Sequence, residues 1–415
     1  MNYDVCIIGG GAAGLSAALS ASQNGARAAV LEASPRVGRK ILASGNGRCN
    51  LANRGPAAYP GGRALAERVL KNCPVEKVLS AFQGWGLATA EEEQGRVYPA
   101  CGQAAAVLDV LRAALARKHV PVFCESPVRR IEQTKAGFRL HTPQEAWDCR
   151  AVIAACGGMA GGRLGHDGAA YGLLTDLGHT LIAPRPALTP LTAERRAVKG
   201  LSGLRLPAVL TLCRVEGGRE TPLCQSQGEA LFTDYGVSGV CAMELARYAQ
   251  EEREASGAWP LLLMDFSPML GIAPRAFGVQ RDGIADPHRH EAAALALLEQ
   301  RSHILPREDL LRGLIPRLLS ERLEGQPLPA LARSLTAFPV PLNGVRGMEQ
   351  AQVTAGGIRI GEFDFDTLQS RRVPGLFAAG EMLDVDGACG GFNLQFAFAS
   401  GLVAGEQAAK LFVRR

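Results

Sequence analysis

Tyr3-Asp4-Val5-Cys6-Ile7-Ile8-Gly9-Gly10-Gly11-Ala12-Ala13-Gly14 is a short apolar run that stops at glycines spaced G-x-G-x-x-G. It reads as a buried strand, a tight turn, and a helix from residue 12 to about residue 24. Gly9 permits the turn, Gly11 lets a pyrophosphate approach the backbone, and Gly14 lets the helix pack closely on the strand. The amides of Ala12 and Ala13 then face an anion at the helix N-terminus. In a chain with 49 glycines the spacing alone is a weak signal, and context strengthens it. Gly25 closes the helix and residues 26–31 read as the next parallel strand. Glu32 stands at its carboxyl end, where an acidic side chain accepts hydrogen bonds from a ribose.

At 415 residues the chain exceeds one comfortable core, so two or three domains are expected. Hydrophobic residues make up 47% and charged residues 20%, the balance of a globular protein. The net charge of +5 is small for this length, and the cations come in scattered pairs such as Arg129-Arg130 and Arg371-Arg372. A nucleic-acid stripe is therefore not expected. No apolar run approaches the roughly 18 residues a membrane span needs, and no signal peptide is read at the start. The eleven cysteines are dispersed and never spaced C-x-x-C, which argues against a disulfide framework or a zinc site. The histidines show no metal spacing. The cytoplasm is the expected location.

Residues 33–50 have no hydrophobic period and are dense in Gly, Ser, Asn and cations. Beside a phosphate site, such a loop reads as a backbone-rich anion cradle. Helices follow over residues 63–72, 75–85 and 103–119, then a parallel strand at 120–123 and an antiparallel excursion around Gly137. Residues 151–155 form a buried strand ending at Cys156-Gly157-Gly158, again a place of close backbone approach. Residues 186–191 read as an exit linker. Strands are expected at 208–215, 229–233 and 261–266, with helices at 241–254, 289–301 and 306–323. Pro316 breaks or kinks the last of these. Residues 271–287 read as a mobile loop. The opening style returns with strands at 353–358 and 374–379, then a long helix over about 393–412. Domain boundaries are thus placed at 1–187 with 351–415, and at 188–350, with a helical part about 241–335.

With these pieces assembled, the chain resembles two-dinucleotide-binding flavoproteins, and in particular the YhiN/BaiN-like (aminoacetone-oxidase-like) family. The resemblance rests on Gly38-Arg39-Lys40 with Ser44-Gly45-Asn46-Gly47-Arg48-Cys49-Asn50, and on Leu231-Phe232-Thr233 with Tyr235-Gly236-Val237-Ser238-Gly239. Further motifs are Val353-Thr354-Ala355-Gly356-Gly357 and the run from Gly380-Glu381 to Gly390-Gly391-Phe392-Asn393-Leu394-Gln395. The chain departs from the family pattern at His166-Asp167-Gly168-Ala169-Ala170-Tyr171-Gly172, where Thr-Gly-Asp-Gly-Tyr is usual. It also departs at Asp234 and Val240.

The resemblance implies an α/β FAD-binding, glutathione-reductase-type Rossmann domain interrupted by an inserted β-barrel with helices. FAD would lie extended, with adenosine at Glu32, pyrophosphate at residues 9–14, ribitol near Gly380 and Glu381, and isoalloxazine near residues 390–393, Gly391 and Asn393 among them; Leu394 is also assigned to the cofactor. Arg39, Lys40, Ser44, Gly45, Gly47, Arg48, Cys49, Asn50, Val128, Gly157 and Gly158 complete the assigned cofactor set. The alternative to a flavin role for Asn393 is an ordinary helix cap. Arg48, Tyr171 and Tyr235 are the catalytic candidates, against a structural donor and two packed aromatics. Cys49 and Cys389 read as buried thiols and not as a disulfide relay. No second G-x-G-x-x-G follows a strand, so NAD(P)H is expected only as a diffusible reductant. The resemblance implies hydride transfer through flavin to a small molecule, with an activated C=C bond as acceptor, as in a bile-acid enone reductase. An O2-dependent amine oxidase and a flavin-binding redox sensor are the rivals. Oligomeric state is left open.

Overall fold

The computed structural model describes residues 2–273, 278–281 and 283–412. The chain divides into two compact units, Met1–Arg185 with Val353–Arg415, and Pro186–Gln352. In the first unit, strand Asn2–Ile8 pairs in parallel with Ala28–Leu31 on one side and with Ala146–Ala154 on the other. Val122–Phe123 extends the sheet beyond Ala28–Leu31. The far edge of Ala146–Ala154 is shared. Its first half pairs antiparallel with Gly137–His141 of a hairpin, and Val152–Ala154 pair in parallel with Leu376–Ala378. Val5, Cys6, Ile7, Val152 and Ile153 are fully buried, as strands covered on both faces require.

Helices form close to where the residue pattern placed them, Ala12–Gln23, Arg63–Asn72, Val75–Trp85, Ala104–Arg117 and Phe392–Lys410, and the first and last of them pack on the sheet. Two expectations need correction. The cradle of residues 33–50 holds a short helix, Arg39–Ala43, and a 3-10 turn, Ser44–Gly47. The exit linker begins inside a strand, Leu181–Ala187, which pairs with Val353–Ile358. Gly356, at φ 87°, allows that pairing, because a Cβ there would lie 2.5 Å from the Ala183 oxygen.

The second unit is a closed, six-stranded antiparallel barrel. Around the ring, Arg205–Glu216, Leu261–Asp265, Phe338–Val345, Leu191–Ala193, Gly236–Ser238 and Arg219–Phe232 each pair with two neighbours. Leu206, Leu210, Leu212, Phe232, Leu262, Met264 and Val340 fill it. Gly278–Gln280 adds to the outside. Residues 274–277 and 282 of the expected mobile loop lie outside the described residues. Strand Phe338–Val345 had no sequence signal because Pro339 and Pro341 argue against a strand. Its partners Leu261–Met264 and Leu191–Ala193 place it. The helix expected over 306–323 is cut at Pro316, leaving Arg307–Asp309 as a 3-10 turn and Arg317–Leu323 as a helix.

Candidate functional site

From strand Asn2–Ile8 the chain first builds Ala28–Leu31 and Val122–Phe123 on one side. It then crosses to Ala146–Ala154 on the other. The order reverses between Asn2–Ile8 and Ala146–Ala154, and ligands of open α/β sheets bind outside the strand ends at such a point. Both strands end in glycine turns there. Gly9 has φ 105°, and a Cβ on it would lie 2.4 Å from the Ala155 oxygen. On Gly14 a Cβ would lie 1.8 Å from the Gly9 oxygen, so the helix seats directly on the turn. Gly11 differs. Its φ is −86°, and among the described residues no heavy atom lies within 4 Å of a Cβ built there.

Glu32 is fixed beside this open space. Its Oε2 accepts the Gly10 N–H at 2.6 Å and its Oε1 accepts the Ser34 N–H at 2.7 Å. A carboxylate has about four lone-pair sites, so acceptor capacity remains. The loop after Glu32 folds back through Gly38 N–H to the Gly10 oxygen at 2.8 Å. Arg39 donates to Ser34 Oγ at 3.1 Å and to the Arg163 oxygen at 2.5 Å. Val128 packs partly buried against the core, just past Ser126, whose N–H donates to the Glu32 oxygen at 2.9 Å.

The first and last helices, Ala12–Gln23 and Phe392–Lys410, lie side by side. Cβ atoms on Gly401 and Gly405 would come within 2.3 Å of the Ala13 oxygen and 2.2 Å of the Ala17 oxygen. The shared offset makes the helices parallel. Ser16 and Ser20 hydroxyls donate to the Phe398 and Leu402 oxygens at 3.3 and 2.7 Å. The glycine contacts have an offset of 388 and the serine bonds one of 382, so the last helix starts roughly two to eight residues earlier, about 3–12 Å further out at 1.5 Å per residue. Both begin at glycines, Gly11 and Gly391, and among the described residues neither has a side-chain cap. Two sets of orphan amides, each with a positive helix end, are therefore presented in one direction, one staggered beyond the other.

Segments distant in sequence meet between these ends. Lys40 Nζ lies 2.6 Å from Glu381 Oε2, and the Thr354 N–H donates to Glu381 Oε1 at 2.8 Å. Burial pushes the Glu381 carboxyl up, but the Lys40 charge and the hydrogen bonds from Lys40 and Thr354 outweigh it and leave it below its ordinary value. Gly158 is wedged against this pair, since a Cβ would lie 2.5 Å from Thr354 Oγ1 and 2.8 Å from Glu381 Cδ. Gly157, at φ 79°, is open on its Cβ side among the described residues. The Gly380 N–H reaches Ser400 Oγ on the last helix at 2.9 Å. Thr354 and Ser400 had no assigned role in the sequence; Thr354 stood out only as part of a strand ending in glycines and of the motif Val353-Thr354-Ala355-Gly356-Gly357.

The Ser44–Asn50 turn reaches the start of the last helix. Cys49, at φ 58°, is buried, and burial raises its thiol to about 11. Gly45 is required, because a Cβ would lie 2.8 Å from the Asn50 nitrogen; Gly47 faces open space among the described residues. Ser44 Oγ donates to the Ile41 oxygen at 2.7 Å. Asn50 Oδ1 is buried without a hydrogen-bond partner among the described residues, 2.6 Å from where a Gly391 Cβ would stand. Asn393 is not the cap. Its carboxamide braces the preceding loop, accepting from Gly387 N–H at 2.8 Å and donating to the Gly387 oxygen at 2.9 Å. Leu394 packs partly buried against the core.

The three catalytic candidates are separated by their surroundings. Arg48 is exposed, ion-paired with Glu92 and stacked 4.3 Å over the Tyr98 ring. Tyr235 belongs to the barrel unit, half-buried under the Arg346 guanidinium at 4.7 Å. Tyr171 is 1% exposed in the first unit, and its hydroxyl has no partner among the described residues. Burial, with Glu381, Cys156 and Asp384 nearby, pushes that phenol well above its ordinary value. An orphaned buried hydroxyl costs about 1–3 kcal/mol. Open glycine space, two uncapped helix ends, a fixed acidic group and two buried polar atoms without partners fit an extended dinucleotide. A separate cavity of about 460 Å³ in the barrel unit, walled by Glu220, Asp286 and His288 among others, contains none of these residues.

The fold and this edge define a Rossmann-type dinucleotide-binding protein. A family model described as HI0933-like protein Rossmann domain matches residues 3–407. The chain belongs to that family of FAD-binding oxidoreductases, the one its motifs resemble. It is 35% identical to 3-dehydro-bile acid delta(4,6)-reductase of Clostridium scindens over 97% of this chain and 98% of that protein. It is 28% identical to ribosomal RNA dihydrouridine synthase of Escherichia coli, covering 96% of each. Among solved structures, 3-ketosteroid delta1-dehydrogenase from Sterolibacterium denitrificans matches with TM-score 0.51 and 14% identity, over 99% of this chain and 100% of that one. 3-Ketosteroid-delta4-(5alpha)-dehydrogenase from Rhodococcus jostii matches with TM-score 0.50 and 16% identity, over 98% and 97%. These two likenesses concern the fold. Among the described residues no helix is long and apolar enough to cross a membrane, and no group of three His, Cys, Asp or Glu could hold a metal ion.

Proposed function

We propose that the chain is a reductase that saturates a C=C bond conjugated to a carbonyl in a small organic substrate. In this reading it holds FAD along the carboxyl edge of its sheet and takes reducing equivalents from NAD(P)H. The observation that carries the reading is the pair of parallel, uncapped helix starts staggered along one edge. A mononucleotide has no use for both; an extended FAD has. When bound, FAD supplies a two-electron carrier between a hydride donor and an acceptor. The Gly11–Ala13 amides would hold the pyrophosphate, and Glu32 the adenosine ribose. Lys40, Glu381 and Gly157–Gly158 would hold the ribityl chain. The amides after Gly391 would face the flavin edge that becomes electron-rich on reduction, and Asn50 would direct its carboxamide at that edge.

Support for the reaction class comes from the relatives. A delta(4,6)-reductase and a dihydrouridine synthase are both named for adding hydrogen across a carbonyl-conjugated C=C bond. A small substrate is favoured over RNA because residues 186–352 carry 18 Lys and Arg against 19 Asp and Glu. In addition, Arg54, Arg63, Arg68 and Arg139 in the first unit are ion-paired. The test is anaerobic mixing of the FAD-loaded protein with NADH or NADPH, followed by a 3-oxo-4,6-diene steroid acid. Bleaching and then recovery of the yellow colour is the expected result. Recovery only with uridine-containing RNA would transfer the reading to the second relative's substrate. Hydrogen peroxide formation from an amine without bleaching by NAD(P)H would replace reductase with oxidase.

A further inference from the structure

His166 stands in the stretch where the chain departs from its family pattern, and no role above uses it. It closes a loop that starts at the strand end Gly157 and runs through Gly158, Gly161, Gly162 and Gly165 to Gly168. So many glycines give this segment wide conformational freedom, which must be lost if the strand end is to hold one shape. Three hydrogen bonds made by His166 remove it. Its backbone N–H donates to the Gly158 oxygen at 3.2 Å. Its Nε2 lies 3.0 Å from the Gly157 oxygen, and its Nδ1 accepts the Gly168 N–H at 2.9 Å. The ring also stands edge-on to Tyr171, centroids 4.7 Å apart.

These partners fix the ring's chemistry. A carbonyl can only accept, so Nε2 carries the hydrogen; an amide N–H can only donate, so Nδ1 carries the lone pair. Only the neutral imidazole satisfies both. Protonating Nδ1 would set two N–H groups against each other at the Gly168 contact. Gly157 and Gly158 directly follow Cys156, whose Cα would lie 3.0 Å from a Cβ on Gly9 of the dinucleotide turn. Gly158 also bears on Glu381.

We infer that His166 is the positioning residue of the cofactor cradle, and that its neutral imidazole sets the Gly157–Gly158 turn so that FAD is retained at neutral pH and released on mild acidification. The inference rests on the FAD reading above. The groups around the ring are Lys40 from the short helix, Glu381, Asp167 from the loop itself, and the Tyr171 phenol. Burial acts first and lowers the imidazole's pKa; the hydrogen bond to Gly157 and the charges of Glu381 and Asp167 oppose it, while Lys40 adds to the lowering. The net direction is downward, so the neutral form holds at pH 7 and is lost as pH falls below the ordinary histidine range of about 6–6.5.

The experiment is FAD titration of the full chain by calorimetry at pH 7.5 and 5.8, in two buffers of different ionisation enthalpy. Wild type should bind about two- to fivefold more weakly at pH 5.8, because an imidazole whose pKa lies below about 6.5 is only partly protonated there, and should release a proton on binding there. Gln and Asn can each donate and accept without titrating, so H166Q or H166N, whichever folds, should bind with a flat pH profile and no linked proton. H166A should bind weakly at both pH values. A wild-type affinity unchanged between the two pH values, or the same proton release from H166Q or H166N, would overturn the inference. No FAD uptake by wild type at either pH would sink the FAD reading instead.

Discussion

The strand-end cradle and the barrel treat buried polar groups in opposite ways. In the barrel unit most are consumed internally, His288 Nδ1 and Asp309 Oδ1 being the buried side-chain atoms left without a hydrogen bond among its described residues: Gln225 Nε2 donates to Thr211 Oγ1 at 2.9 Å, and Arg214 grips Glu252 at 2.7 and 2.8 Å. Asp265 and Ser267 share His290 Nδ1 at 2.7 and 2.9 Å. In the cradle, the helix amides after Gly11 and Gly391, the Tyr171 hydroxyl and Asn50 Oδ1 are left over. A satisfied network spends its hydrogen bonds on holding shape. An unsatisfied one is tolerable only where something else completes it. Glycines show the same contrast: at Gly14 and Gly401 the missing side chain is replaced by protein backbone, whereas at Gly11 the space is empty among the described residues.

The contrast breaks most severely at Gly14. Gly14→Val should cost more than about 4 kcal/mol, because its Cβ overlaps a backbone oxygen that cannot move away. The expected outcome is loss of the cooperative thermal transition of the first unit as well as of FAD uptake. Leu262→Ala, at a fully buried barrel position, should cost about 2–5 kcal/mol. Denaturant unfolding would show the loss, while FAD affinity measured where the variant is folded should stay within about twofold of wild type. A large drop in affinity would mean that the two regions are not separable in this way.

A third prediction uses a fully satisfied polar cluster inside the first unit. Glu362 accepts from Thr180, Arg372 and His179, and His179 Nε2 meets Ser370 Oγ at 3.0 Å. Burial raises the Glu362 carboxyl, but those hydrogen bonds prevail and hold it at about 2. Against an ordinary value of about 4.3, the depression is worth about 3 kcal/mol. A depressed carboxyl contributes its stability above the unfolded pKa and loses it as pH falls through the folded one, so the window is about pH 4.5 to 2. Glu362→Gln should therefore unfold more easily at pH 7 and show a flatter decline of Tm below pH 4.5. An unchanged slope would show that the cluster is not a net stabiliser.

Gly11→Ala is the sharpest discriminator and the smallest perturbation of the fold. Its φ suits any residue and its Cβ meets nothing, so Tm without cofactor should shift by less than about 0.5 kcal/mol equivalent. FAD affinity should fall about 100-fold, because the methyl takes the space into which the pyrophosphate would come. Tm and a FAD titration on the same preparation check both halves. Unchanged affinity would remove Gly11 from the site.

Much of the parallel sheet and its turn was legible in the residues. The period of 3.6 located the helix Ala104–Arg117, and apolar runs stopping at glycines located the strands Asn2–Ile8 and Val353–Ile358, because those signals are local. Barrel strands Leu191–Ala193 and Gly236–Ser238 escaped because a strand of three residues has no period to read. Arg219–Phe232 was read only at its end, since its exposed first half alternates weakly. In the cradle, the turn glycines and Glu32 could be named from spacing. The Lys40–Glu381 pair spans 341 positions in sequence, and Asn393 was misread as a possible cap although its side chain serves the Gly387 loop.

What the sequence by itself determined is where the backbone can come close. A glycine either tolerates a positive φ or an oxygen at 1.8 Å, or no residue does, and that is written at one position. What only the tertiary structure decided is which polar groups are left over. Hydrogen-bond satisfaction depends on all neighbours at once, so the neutral ring of His166, the occupied guanidinium of Arg48 and the idle hydroxyl of Tyr171 look alike in a linear reading. Packing separates them, since burial makes each missing or present partner count.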